Sequence, residues 1–172
     1  MTEIKIIDNF LLELEYNHLI SSVVKNQYFP WWYSPVTTEE YGVFNQCSEF
    51  ENYQFTHVLY YDNMPKSDYY QLLFPFLNHL KVKSLIKAKL NCNPNASKIV
   101  EHGYHIDTID STYNSTTAVY YLNDNNGYTK FQSGEKVEST ANRLVLFPSK
   151  ISHTGTTCTN AQCRYVLNIN YF

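Results

Sequence analysis

The half of the chain from Leu85 to Phe172 consists of short β-prone segments separated by turns rich in Asn, Ser, Thr and Gly. Eight segments are predicted as strands, at residues 85–92, 103–107, 116–122, 127–132, 135–138, 143–147, 151–155 and 163–171. Many short strands at close spacing, with helices confined to the preceding half, are typical of an antiparallel sandwich or jelly roll packed on helices. We therefore predict a mainly β, α+β fold with a jelly-roll core.

The first half of the chain has fewer strand signals. Residues 3–7 and 55–61 are predicted as strands, whereas apolar residues recur at helical spacing from about Phe10 to Lys25, after a cap at Asp8 or Asn9. A second helix is predicted from residue 67 or 68 to Leu80, and Pro75 within it predicts a kink or a split. We expect one domain over residues 1–172, with a helical part at 1–84 and the jelly-roll core at 85–172.

The composition argues against several classes of function. A formal net charge of -3 and a pI near 6.0 do not favour a broad electrostatic attraction to nucleic acid. No run of about 18 apolar residues occurs, and the N-terminus lacks the features of a secretory signal, so we expect neither a membrane span nor export. The four cysteines (Cys47, Cys92, Cys158 and Cys163) are then expected to be reduced thiols of a cytoplasmic protein.

The tripeptide His105-Ile106-Asp107 falls in the predicted strand 103–107. Residues two apart on a strand point to the same side, so the imidazole and the carboxylate would face one point. Together with His153 they form the set of two histidines and one carboxylate that binds iron in non-haem Fe(II) oxygenases and leaves coordination positions open. His102 lies three residues before His105, so on a strand its side chain would lie on the opposite face. We therefore expect it to point away from the metal.

Arg164 is one of two arginines in the chain, against 11 lysines. A guanidinium suits the far carboxylate of 2-oxoglutarate, because an unpaired carboxylate is costly to bury and arginine offers a rigid fork of donors. Residues 156–160 resemble a hairpin turn, which predicts that His153 and Arg164 are cross-strand neighbours, roughly 5–8 Å apart at their Cβ atoms. Alternation along the last strand puts four residues on the face expected to line the site: Arg164, Val166, Asn168 and Asn170.

From about Leu85 to Phe172 the chain resembles the prolyl 4-hydroxylase-like branch of the Fe(II)/2-oxoglutarate-dependent oxygenases. The resemblance rests on motifs in matching order and spacing: His105-Ile106-Asp107, Tyr120-Tyr121-Leu122-Asn123, Gly127-Tyr128-Thr129-Lys130-Phe131, Arg143-Leu144-Val145-Leu146-Phe147-Pro148-Ser149, His153 and Arg164-Tyr165-Val166-Leu167-Asn168. It implies a double-stranded β-helix core, buttressed by the N-terminal helices.

The resemblance also implies roles for single residues. The iron ligands would be His105, Asp107 and His153. Arg164 and the Tyr121 hydroxyl would bind the far carboxylate of 2-oxoglutarate, and Thr129 is a further candidate for that pocket. The implied cofactors are Fe(II), 2-oxoglutarate and O2, with ascorbate as an additional reductant.

The chain departs from the family pattern at three positions. Arg164 stands where relatives of the collagen type have lysine. Asn91 or Asn93 stands where many relatives have a tyrosine, and Asn170 replaces a tryptophan common near the end of the last strand.

The reaction that the resemblance implies is hydroxylation of a substrate C–H bond. By analogy with the nearest branch, the expected substrate is a peptidyl proline, while other peptide or protein side chains and small molecules remain open. Two other classes of function are a catalytically silent jelly-roll module that retains a metal and a purely structural β-sandwich. A cupin-type dioxygenase without a co-substrate would bind iron and would not need Arg164.

Overall fold

A computed structural model describes residues 4–36, 48, 50–107 and 114–172 of the chain. In these residues the strands are β1 (Lys5–Ile7), β2 (Trp32–Pro35), β3 (Tyr53–Tyr61), β4 (Met64–Pro65), β5 (Leu85–Pro94), β6 (Thr116–Tyr121), β7 (Tyr128–Phe131), β8 (Lys136–Glu138), β9 (Arg143–Pro148), β10 (His153–Gly155) and β11 (Cys163–Tyr171). The helices are α1 (Glu13–Ser22), a 3-10 helix (Asp68–Leu73) and α2 (Phe74–Leu80). None of these helices is long and apolar enough to cross a membrane.

The strands form two antiparallel sheets that pack face to face. The larger sheet has the order β1-β9-β6-β11-β5-β3-β2, with β4 paired to β3, and the smaller sheet has the order β10-β7-β8. Apolar side chains from both sheets pack between them: Val119, Tyr121, Phe131, Val137, Val145, Phe147 and Val166. This arrangement confirms the predicted mainly β fold with a jelly-roll core.

The other face of the larger sheet is covered by the helices. Leu19 of α1 and Phe76 of α2 are buried in one cluster with Leu90, Leu167 and Ile169 of the sheet. Side chains alternate along a strand, so the residues of β11 next to those in the helix-covered core point into the space between the two sheets. The alternation predicted for the last strand is confirmed.

The helices differ from the prediction at their ends. Asp8 does not cap α1, because its carboxylate accepts a hydrogen bond from Arg143 Nε at 2.6 Å. Instead, α1 begins at Glu13, and the Glu15 carboxylate accepts a hydrogen bond from the Leu12 N–H at 3.0 Å. The split predicted at Pro75 is confirmed, since the 3-10 helix ends at Leu73 and α2 begins at Phe74.

One predicted core strand is wrong. Residues 103–107 form no continuous strand but only an isolated antiparallel bridge between His105 and His153, with N–H to O distances of 2.9 and 3.0 Å. The other seven predicted core strands are present within one or two residues of their expected ends. In the first half of the chain the strands predicted at residues 3–7 and 55–61 are present as β1 and β3, whereas β2 and β4 were not predicted.

Candidate metal centre and anion pocket

His105, Asp107 and His153 converge at one point of the fold. One ligand atom from each lies within 4.8 Å of the others. His105 Nε2 is 3.6 Å from Asp107 Oδ1, and His153 Nε2 is 3.7 Å from Asp107 Oδ2. The backbone bridge between the two histidines holds their rings side by side, with centroids 4.5 Å apart.

The backbone orients both imidazoles toward this point. The Nδ1–H of His153 donates to the carbonyl of Ile151 at 3.0 Å, and Nδ1 of His105 lies 3.4 Å from the carbonyl of Gly103. When Nδ1 carries the proton, Nε2 presents its lone pair, which is the form that binds a metal. Burial, with a smaller contribution from His153, lowers the pKa of His105 to about 4, so this ring is neutral at physiological pH.

The Asp107 carboxylate is held by two side chains of the larger sheet. Thr117 Oγ1 donates to Asp107 Oδ2 at 2.6 Å, and Asn170 Nδ2 donates to the same oxygen at 3.1 Å. Burial by itself would raise the pKa of Asp107, but His153, His105 and these two donors bring it below its usual value. The carboxylate is therefore charged, and Oδ1 is free of side-chain donors among the described residues.

This donor set fits a divalent iron. Two imidazole nitrogens and one carboxylate oxygen form one face of a coordination sphere, and the opposite side is a cavity of about 280 Å³. Such a set with open positions is characteristic of non-haem Fe(II) sites. Asn170 was expected to line the site; its hydrogen bond to Asp107 is a contact that sequence reasoning missed.

Arg164 is buried in the wall of the same cavity, with 3% of its surface exposed. It donates hydrogen bonds to neutral oxygens, which include Ser139 Oγ at 2.8 Å, Thr129 Oγ1 at 3.2 Å and the Thr156 carbonyl at 3.4 Å. No carboxylate of the described residues forms an ion pair with it. A buried guanidinium without a counter-charge fits an anionic ligand, because an unpaired buried charge is costly.

Glycine makes room for this side chain. A Cβ atom on Gly127 would lie 2.6 Å from Cδ of Arg164 and 2.7 Å from the Thr157 carbonyl, which are both too close. Gly127 lies in one of the motifs that carry the family resemblance, and its lack of a side chain gives Arg164 its position. Glycine is therefore required at position 127 for steric reasons.

Thr129 and Tyr121 lie beside Arg164 in different places. Thr129 lines the cavity, and its Oγ1 accepts hydrogen bonds from the Tyr121 hydroxyl at 2.8 Å and from Arg164. The hydroxyl proton of Thr129 is then free for an acceptor in the cavity. Tyr121 is fully buried behind Thr129, and the Arg164 guanidinium carbon lies 5.3 Å from the centre of its ring.

His153 and Arg164 are not cross-strand neighbours, so that prediction is wrong. β10, which carries His153, pairs with β7 in the smaller sheet, whereas β11 pairs with β5 and β6 in the larger one. The segment between them passes from one sheet to the other and does not close a hairpin. Both side chains nevertheless line one cavity, because the two sheets face each other across it.

His102 was expected to point away from the metal and to be structural or at the rim of the cleft. It is not one of the converging ligands but lines the cavity, with its Nδ1–H donating to Asn52 Oδ1 at 3.1 Å and its buried Nε2 without a partner in the part of the chain described. Burial, and then the charge of Arg164, lower the pKa of His102 to about 4.

The remaining wall of the cavity is formed by the larger sheet and is strongly polar. Asn91 donates to Gln54, and Asn168 donates to the Asn91 carbonyl oxygen at 3.3 Å. Further side chains of β5 and β11 line the same wall: Lys87, Lys89, Asn93, Val166 and Asn170. Asn91 and Asn93 therefore both face the cavity.

A scan against protein families matches residues 95–172 to the 2OG-Fe(II) oxygenase superfamily. The matched segment contains the three converging ligands and the buried arginine. This part of the chain belongs to the 2OG-Fe(II) oxygenase superfamily. The family implies Fe(II), 2-oxoglutarate and O2, and the protein is accordingly a 2-oxoglutarate-dependent dioxygenase.

Solved structures show the same fold over nearly the whole oxygenase. A prolyl hydroxylase from Trichoplax adhaerens, in complex with a hypoxia inducible factor peptide fragment, matches with a TM-score of 0.71 at 16% identity, covering 100% of this chain and 84% of that one. A Pseudomonas putida prolyl-4-hydroxylase matches with a TM-score of 0.63 at 16% identity, covering 99% and 92%.

A third structure with this fold has a different reaction. The alpha ketoglutarate dependent epimerase SnoN of nogalamycin biosynthesis matches with a TM-score of 0.63 at 12% identity, covering 99% of this chain and 76% of that one. No curated protein sequence matches the oxygenase. At these identities the structures establish the prolyl 4-hydroxylase-like fold, and the substrate has to be argued from the cavity.

Proposed function

We propose that this oxygenase hydroxylates a C–H bond of a peptidyl proline. The observation that carries the proposal is that the ligand triad lines one cavity with a buried Arg164, which has no carboxylate partner among the described residues. A metal site kept only for stability would not need a buried cation beside it. The fold shared with two prolyl hydroxylases, one of them bound to a peptide, supports a peptide as the substrate.

We assign the iron ligands as His105, Asp107 and His153. The hydrogen bonds of both Nδ1 atoms fix the imidazoles in the form that ligates through Nε2. Thr117 and Asn170 keep the carboxylate oriented, so that Oδ1 is presented to the metal. These contacts are made within the protein itself, which limits the reorganisation needed when a metal binds.

We assign Arg164 to the far carboxylate of 2-oxoglutarate, with Thr129 as a second donor. Tyr121 belongs to the same pocket: it hydrogen-bonds to Thr129, and its ring packs near the guanidinium. For its hydroxyl to donate to the carboxylate directly, it has to give up the bond to Thr129. The exclusion of water around Arg164 strengthens its attraction to an anion.

When bound, iron and 2-oxoglutarate supply the oxidising chemistry with O2, which converts 2-oxoglutarate to succinate and CO2 and a substrate C–H to C–OH. The protein holds the ligands, neutralises the far carboxylate and shapes the substrate opening. Ascorbate is proposed as an additional reductant, and a cytoplasmic location is proposed for the protein.

The wall toward β2 offers contacts for a peptide. Ser34, Pro35 and Val36 line the cavity, and Trp32 lies two residues before Ser34 on the same face of β2 with 68% of its surface exposed. An exposed indole provides a flat apolar surface on which a prolyl ring can pack. The amides of Gln54 and Asn168 offer hydrogen bonds to a peptide backbone.

The first test is to add Fe(II) and then 2-oxoglutarate without oxygen and record the visible charge-transfer band of the chelate. We expect the band to saturate at one iron and one 2-oxoglutarate per chain. O2 and prolyl peptides are then added, and succinate and a 16 Da mass increase on proline are measured. Iron binding without the band would favour the co-substrate-free cupin reaction, and no iron binding would favour a silent or structural module.

A further inference from the structure

The cavity wall contains more positive charge than the iron chemistry uses. Three cationic side chains line it, Arg164, Lys87 and Lys89, while Asp107 is the only carboxylate among the described residues that do so. Arg164 has a role in the proposed function. The two lysines do not.

Alternation along β5 directs both lysines into the cavity. Ala88 and Leu90, between and beyond them, are fully buried in the helix-covered core, so Lys87 and Lys89 lie on the opposite face. Lys89 pairs with Val58 of β3 on one side and with Asn168 of β11 on the other, which places it in the interior of the sheet. Interior sheet positions seldom carry an ammonium group unless it has a partner.

Lys89 lacks a carboxylate partner within the described part of the chain, where no ion pair includes it. Burial, followed by repulsion from Lys87, lowers its pKa to about 8, and Asp107 only partly opposes this. Lys87 lies 5.6 Å from the centre of the Tyr61 ring. Neither ammonium group is therefore neutralised by a carboxylate among the residues that the structure describes.

Loading the site with iron and 2-oxoglutarate does not supply the missing anion. The two charges of Fe(II) and the one of Arg164 are balanced by the two carboxylates of 2-oxoglutarate and by Asp107. One carboxylate of 2-oxoglutarate is committed to the metal and the other to Arg164. The charge of the two half-buried lysines thus remains unbalanced by these groups, and it attracts a further anion.

The lysines are also placed apart from Arg164. Arg164 pairs with Asn93 and Lys89 with Asn168, so the two are attached four residues apart along neighbouring strands, roughly 13 Å at about 3.3 Å per residue. Lys89 instead lies next to the amides of Asn91 and Asn168, and Thr56, which pairs with Asn91, pairs on its other side with Trp32 of β2. That is the wall assigned above to the substrate.

We propose that the oxygenase selects substrates with a carboxylate close to the reacting carbon, and that Lys89, assisted by Lys87, binds that carboxylate. This inference rests on the proposed function and narrows its substrate class to a proline next to an aspartate or glutamate. The neighbouring amides then bind the peptide backbone, which carries no charge.

The test compares three blocked peptides that differ only in the residue before proline, which is Asp, Asn or Lys. We expect the kcat/KM of proline hydroxylation to be about tenfold or more higher for the Asp peptide than for the Asn peptide, and lowest for the Lys peptide. Lys89→Met should abolish the preference for Asp, since methionine keeps the apolar stem and removes the charge. Lys89→Glu should reverse the preference in favour of the Lys peptide.

Two controls separate specificity from damage. Lys66→Met, at an exposed lysine outside the cavity, should keep the full preference for Asp. The affinity of Lys89→Met for 2-oxoglutarate, read from the charge-transfer band, should stay within about threefold of the parent protein. Equal kcat/KM for the Asp and Asn peptides, or a preference that survives in Lys89→Met, would overturn the inference. A loss of 2-oxoglutarate affinity with unchanged selectivity would also overturn it.

Failure of proline hydroxylation is distinguishable from failure of this inference. The protein loaded with Fe(II) and 2-oxoglutarate is titrated without oxygen with the same peptides and with N-acetyl-aspartate and N-acetyl-glutamate, while the charge-transfer band is followed. If the acidic probes perturb the band through Lys89 but no proline is hydroxylated, the charge selection holds and proline is the wrong substrate. No response to any acidic probe would reject the charge selection.

Discussion

The two ends of β11 present opposite electrostatic situations to the same cavity. At one end the Arg164 guanidinium is buried, donates to neutral oxygens of Ser139, Thr129 and Thr156, and forms no ion pair with a carboxylate of the described residues. At the other end Asn170 donates to Asp107, whose carboxylate lies among imidazole nitrogens. Among the described residues, no carboxylate pairs with the guanidinium and no Lys or Arg pairs with the Asp107 carboxylate. The first end therefore suits an anionic ligand and the second a cationic one.

This difference indicates that the two ligands are bound by separate sets of residues on one strand. Arg164 and Asn170 make no hydrogen bond in common, and their partners come from different elements. Substitutions at either end should therefore act on one ligand at a time. The following experiments test that separation, in order of decreasing expected effect.

The largest effect is expected at the cation-binding end. Asp107→Ala removes the charged ligand, so iron affinity should fall by more than the roughly 10–100-fold typical of outer-sphere changes. It is measured by anaerobic Fe(II) titration, with circular dichroism to verify the fold. Asp124→Ala, which changes a turn carboxylate bonded to the Ala141 N–H, should leave iron affinity unchanged. Unchanged iron binding in Asp107→Ala would remove the triad from consideration.

At the anion-binding end, Arg164→Met should spare iron and weaken 2-oxoglutarate. Truncating one partner of a buried charge pair costs about 2–5 kcal/mol, which is roughly 30-fold or more in affinity. The chelate band measured against 2-oxoglutarate concentration reports this. The matched control is Arg143→Met, because Arg143 pairs with Asp8 outside the cavity. If both arginine variants bind 2-oxoglutarate equally well, the ends of β11 are not specialised as described.

A smaller effect is expected from the residues that orient Asp107. Thr117→Val removes the 2.6 Å hydrogen bond to the carboxylate and should lower iron affinity by about 10–100-fold. Thr116→Val is a matched control, since neighbouring residues of β6 point to opposite faces. The ratio of the two iron dissociation constants is the measurement. A ratio near one would show that Thr117 packs beside the carboxylate without orienting it.

The smallest effect concerns His102, which lies between the two ends. In the folded protein its pKa is about 4, whereas an unfolded chain binds the proton near pH 6.5. The unfolded state therefore binds more protons between these values, so the free energy of unfolding falls as pH decreases from about 6.5 to 4. In the metal-free protein His102→Gln should reduce this slope by up to about 1.4 kcal/mol per pH unit. Urea unfolding at several pH values measures it, and parallel slopes would contradict the prediction.

Most of the fold could be predicted from the sequence because strand signals are local. The segments at 116–122 and 163–171 have the alternation and the turn residues that define a strand without reference to the rest of the chain. The segment 103–107 lacked such support. Its one β-bridge among the described residues joins His105 to His153, so the regular strand pairing predicted for it is not formed.

The sequence by itself determined the ligand types, their order, and the face of β11 on which Arg164, Asn168 and Asn170 lie, because alternation along one strand is a local rule. Only the tertiary structure decided which residues meet. The pairing of β10 with β7 brings His153 to the cavity from the opposite sheet, and it places Thr129 between Tyr121 and Arg164. The position of Lys89 in the wall of the same cavity, without a carboxylate partner among the described residues, likewise depends on which strands lie beside β5. Contacts between distant segments depend on sheet order and on the facing of two sheets, and no local pattern encodes either one.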